Sequence, residues 1–78
     1  MGTVKDYNPM NMYAKNGTRV KYHSFPKHPE AEKHDRFLVN GAIYTVRFTV
    51  VHGWHTEVFL DYIPGSFNHV FFEEVLPE

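Results

Sequence analysis

Ile43-Tyr44-Thr45-Val46-Arg47-Phe48-Thr49-Val50-Val51 is the stretch whose reading decides the fold. It is rich in β-branched and aromatic residues and free of Gly and Pro, which predicts a strand. Successive side chains of a strand point to opposite faces. Tyr44, Val46, Phe48 and Val50 are therefore expected in the core, and Thr45, Arg47 and Thr49 in water. His52-Gly53-Trp54-His55 has the glycine and the length of a hairpin connection. Thr56 to Ile63 then returns as a second strand, with Val58 and Leu60 inside and Glu57 and Asp61 outside. Phe59 falls on that polar face and breaks the pattern.

Working outward, Asn16-Gly17 reads as a turn. Thr18 to Tyr22 alternates as a strand, Val20 and Tyr22 sharing one face and Arg19 and Lys21 the other. Residues 1–14 lack periodicity and read as an irregular arm. Ser24 to Arg36 is a long polar loop, in which Pro26 and Pro29 oppose strand pairing. Pro29 to His34 has the makings of one helical turn with Pro29 first. Phe37-Leu38-Val39 is a short apolar run closed by Asn40-Gly41. Downstream, Pro64-Gly65-Ser66 reads as a turn and Ser66 to Asn68 as a single 3₁₀ turn. Val70 to Leu76 reads as the last strand, ended by Pro77. Short strands joined by short turns predict an all-β, SH3-like barrel of about five strands over residues 15–78. Its expected core is Val20, Tyr44, Val46, Phe48, Val50, Val58, Leu60, Phe67, Phe72 and Val75.

The chain has 78 residues, enough for one small domain, and no cysteine to staple it. An aromatic fraction of 17% offers the core that disulfides do not. Net charge is −1, but residues 1–47 carry +4 and residues 48–78 carry −5. That balance excludes a strongly basic nucleic-acid-wrapping protein. No apolar run is long enough for a membrane span, and residues 1–16 contain no apolar signal core, so a cytoplasmic protein is expected.

Gly41-x-x-Tyr44-x-Val46, a hairpin, Val58-x-Leu60, Pro64-Gly65, Phe67 and Phe72-Glu73-x-Val75 form a spaced set. It resembles small, mostly uncharacterised SH3-like barrel proteins of bacteriophages and prophages, over about residues 38–76. The arm and the 24–36 loop add length beyond that group. The resemblance implies a phage or prophage origin and transfers no catalytic residues. By analogy it implies an accessory protein that inhibits a host defence factor by binding it, in the host cytoplasm.

Trp54 at a hairpin tip and Phe59 on a polar face are exposed unless the arm covers them, and exposed aromatics anchor interfaces. With His52, His55 and the 24–36 loop, Phe25 and Lys27 included, they make the candidate surface for a host protein. The alternative is a barrel that binds nucleic acid or a nucleotide through Arg19, Lys21, Tyr22 and Arg47, which the acidic second half opposes. His52, His55 and His69 with Asp61 or Glu73 raise the question of zinc, but H-x-x-H in a turn lacks the helical pairing of metalloproteases, and no metal or cofactor is expected. Ser24 and Ser66 sit in no nucleophile elbow, and Glu73 and Glu74, adjacent on a strand, face opposite ways, so no enzyme is expected. A hairpin edge on a small aromatic chain suggests a homodimer.

Overall fold

The computed structural model describes residues 9–75. The elements run β1 (Arg19–Tyr22), α1 (Ala31–Asp35), β2 (Ile43–Val51), β3 (Thr56–Leu60), β4 (Ile63–Asn68), a 3₁₀ turn (His69–Phe71) and β5 (Phe72–Glu74). The strands form one antiparallel sheet in the order β4-β3-β2-β1-β5. β2 belongs to two layers. Its first half pairs with β1, from Lys21↔Ile43 to Arg19↔Thr45, and its second half with β3, from Val46↔Leu60 to Val51↔Thr56. The product is the expected all-β, SH3-like barrel, left open. Among the described residues no ladder joins β4 to β5, which the 3₁₀ turn connects instead.

The bend in β2 comes from a bulge. The register steps from Val46↔Leu60 to Phe48↔Phe59, so two residues of β2 oppose one of β3. An extra residue reverses the inside–outside phase of everything beyond it. Val46 is fully buried and Tyr44 half-buried, as the alternation expects. Phe48 and Val50, expected in the core, are instead exposed on the outside. Thr49, expected in water, is half-buried opposite Val58, and its hydroxyl donates to the Met12 carbonyl at 2.8 Å. The oddity of Phe59 has the same cause: it pairs with Phe48, and the two rings stack with centroids 4.6 Å apart.

A second irregularity lies between Val58↔Phe67 and Leu60↔Ile63, where β4 holds more residues than β3. Gly65, at φ +88, supplies the left-handed backbone this needs. Pro64-Gly65-Ser66 is thus part of a bulged strand rather than a turn, and the chain turns at Asp61-Tyr62. The 3₁₀ turn falls three residues later than expected, because the Asn68 side chain caps it by accepting the Val70 N–H. That turn breaks alternation, so consecutive Phe71 and Phe72 are both buried. β5 is correspondingly short, Val75 is only half-buried, and Leu76 and Pro77 lie outside the described residues.

The core combines Val20, Tyr22, Val46, Val58, Leu60, Phe67, Phe71 and Phe72 with Met10, Ala31 and Leu38. Met10 comes from the arm, of which residues 1–8 are outside the described region. Pro9 bridges to Glu73, and the Met10 N–H donates to the Phe72 carbonyl at 2.7 Å, covering the free side of β5. The long loop is equally well fixed. Tyr22 Oη donates to Asp35 Oδ1 at 2.6 Å, and Ser24 Oγ donates to Asp35 Oδ2 at 3.1 Å. Burial first, and then Asp35, hold the Tyr22 phenol well above its ordinary range. The Val39 N–H donates to Tyr44 Oη at 2.8 Å, which gives that half-buried ring a polar partner.

Candidate partner-binding groove

The β2–β3 connection is braced at its base and bare at its tip. The His52 N–H donates to the His55 carbonyl at 2.8 Å, and the two imidazoles stack at 4.5 Å. His52 Nε2 lies 2.9 Å from Glu57 Oε1, and Ser66 Oγ donates to Glu57 Oε2 at 2.9 Å. These bonds, His52 first, hold the Glu57 carboxyl below its usual range. Trp54, between the braces, is 89% exposed.

The opposite wall comes from the long loop. His28, Pro29 and Glu30 face Trp54, His55 and Asn68 across an open groove of ≈ 420 Å³. α1 is one turn long and has no intrinsic stability; its buried side chain His34 holds it down. The imidazole packs 4.4 Å from Phe71 and edge-on to Phe67 at 5.1 Å. His34 Nε2 accepts the Asn68 N–H at 3.0 Å, which places the neutral ring's proton on Nδ1. That Nδ1 is buried without a hydrogen-bond partner. Burial, outweighing the attraction of Glu30, pushes the His34 pKa down. Asn68 completes the clamp by donating through Nδ2 to Glu30 Oε1 at 3.1 Å. His28 Nδ1 accepts the Glu30 N–H at 3.0 Å while its ring stands edge-on to Phe71 at 4.8 Å. The loop wall is therefore rigidly tied to the barrel, as a binding surface requires.

Of the six residues proposed for a partner, Trp54 and His55 line the groove, and His52 braces it. Lys27 is exposed beside His28 in sequence. Phe25 is half-buried against the core, 5.7 Å from Phe71 and stacked on His23 at 4.7 Å. Phe59 is half-buried against Phe48 and is not part of the groove. His28, Pro29 and Glu30 come from the 24–36 loop that the sequence places at the surface, and Asn68 joins the site without having been singled out; the helical turn expected from Pro29 begins at Ala31, with Glu30 as its cap.

The basic set loses its aromatic. Tyr22 is 0% exposed and cannot stack on a base, because it shares the inward face of Val20. Lys21 stands opposite Glu73 across the β1–β5 pair, so its charge has a counter-charge beside it. Arg19 is exposed, and Arg47 lies over the Phe48 ring at 5.8 Å. Among the described residues no three His, Cys, Asp or Glu side chains converge as a metal needs. His69 is half-buried with Nδ1 unpartnered, and burial, then His55, lower its pKa. No described helix is long and apolar enough to cross a membrane. Comparison with family models, curated proteins and solved structures finds no match for this chain.

Proposed function

We propose that this protein is a non-enzymatic binding module that captures a host protein in the groove between residues 28–30 and the Trp54 hairpin tip. One observation carries the reading: an indole almost wholly in water, on a braced hairpin, facing a clamped wall. Burying about 150–250 Å² of aromatic surface at about 25 cal/mol per Å² gives roughly 4–6 kcal/mol gross, enough for an anchor after ordering costs. The cytoplasmic, phage-encoded inhibitor of a host defence factor is the biological form of this proposal, and it rests on the sequence resemblance. Nucleic acid is the weaker reading, since its proposed aromatic, Tyr22, is inside the barrel.

The test is affinity capture from host lysate with the wild-type chain and with Trp54→Ala side by side. A protein retained by the first and lost by the second supports the proposal. Nucleic acid that elutes from both at moderate salt would replace it with the alternative.

A further inference from the structure

The outer face of the β2–β3 ribbon carries a second surface, none of whose residues lines the groove. Beyond the Arg47 bulge, Phe48 and Val50 remain 45% and 37% exposed, and Phe59 stacks on Phe48. Arg47 lies over Phe48, and Asp61, whose N–H donates to the Thr45 carbonyl, sits at the same end of the ribbon. The ion pairs among the described residues are Arg36–Glu32 and His52–Glu57, so Arg47 and Asp61 each lack one.

We propose that two copies of the chain meet through this face. An isologous interface needs one patch that complements itself. A two-fold axis along the ribbon, between β2 and β3, sets β2 of one copy over β3 of the other. Phe48 and Phe59 are cross-strand partners, so under that axis Phe48 of each copy meets Phe59 of the other. Arg47 then meets Asp61 of the opposite copy, and the two such pairs flank the axis together at one end of the aromatic centre. Two opposite charges, each without an ion pair among the described residues and each set by the axis against the other's counterpart, fit a second copy better than a foreign surface. The sheet edges offer a poorer route: β4 is interrupted by Pro64 and the Gly65 bulge, and β5 is covered by Pro9 and Met10.

Sedimentation of the full chain across a wide concentration range tests this, with Arg47→Asp, Asp61→Arg and the double exchange, each checked for native far-UV dichroism. The expected result is a dimer of the 9.2 kDa chain. Each single exchange should raise its Kd by about tenfold, and the double exchange should bring it back to within about threefold of wild type. Phe48→Ser should abolish it. A monomer at every concentration, a dimer indifferent to the single exchanges, or no recovery in the double exchange overturns the proposal.

Discussion

Replacing His34 by Phe separates the packing role of this side chain from its hydrogen-bonding role. The aromatic contacts with Phe67 and Phe71 are kept, while the acceptor for the Asn68 N–H is lost. An orphaned buried amide costs about 1–3 kcal/mol, partly offset by removing the equally orphaned Nδ1–H, leaving roughly 1 kcal/mol of destabilisation at pH 7.5. The pH dependence sharpens the test. Burial lowers the folded pKa of His34, and protonation would set a donor at Nε2 against the Asn68 N–H. Glu30 and Asp35 favour the proton; Lys33 and His28 oppose it, along with burial. The unfolded chain then binds more protons than the folded one as pH falls through the unfolded value. Stability is full above that value and declines below it, by at most about 1.4 kcal/mol between pH 7.5 and 5.5 for one histidine. His69 adds in the same direction. His34→Phe removes the His34 share, so the gap between wild type and variant should narrow toward zero by pH 5.5. Urea unfolding followed by far-UV dichroism reads this directly. A gap of the same size at both pH values would refute the reasoning.

Three further substitutions probe other parts of the structure. Trp54→Ala should change folding stability by no more than about 0.5 kcal/mol, while weakening capture of the partner by about 2 kcal/mol or more; thermal unfolding and a binding titration measure the two. Gly65→Ala should lose about 1–2 kcal/mol through backbone strain alone, since φ is +88 and an added Cβ meets nothing within 4 Å; a drop in Tm of several degrees is expected. Tyr22→Phe removes the 2.6 Å bond to Asp35 and should cost about 1–3 kcal/mol in urea unfolding. Amide exchange in the 24–40 segment should quicken with it.

The strands were legible where alternation ran unbroken. Tyr44, Val46, Val58 and Leu60 face the core to the degree their pattern expects. Phe48 and Val50 were misplaced because one inserted residue reverses phase, and no residue type marks the Arg47 bulge. Phe59 among acids was its only trace, since two outward aromatics on neighbouring strands satisfy each other. The C-terminal third misled for a similar reason: Pro64-Gly65 has turn chemistry, yet here it bends a strand that continues to Asn68. At the site, an exposed Trp54 could be read from its hairpin position. The clamp could not, because His34, Asn68 and Phe71 meet only through tertiary packing, and a polar loop rich in His and Glu gives no hint of a buried imidazole.

Trp54 is the single tryptophan of the chain, so its fluorescence reports the groove without interference from other indoles. Acrylamide quenching, in the free protein and then with the captured host protein added and that protein's own indole emission subtracted using a Trp54→Phe complex, is the most direct measurement. The free chain should be quenched as readily as a small tryptophan derivative in water, and the complex should be shielded with emission shifted to the blue. An indole already shielded in the free monomer, or one that stays fully quenchable when the partner is bound, would contradict the groove as the binding site.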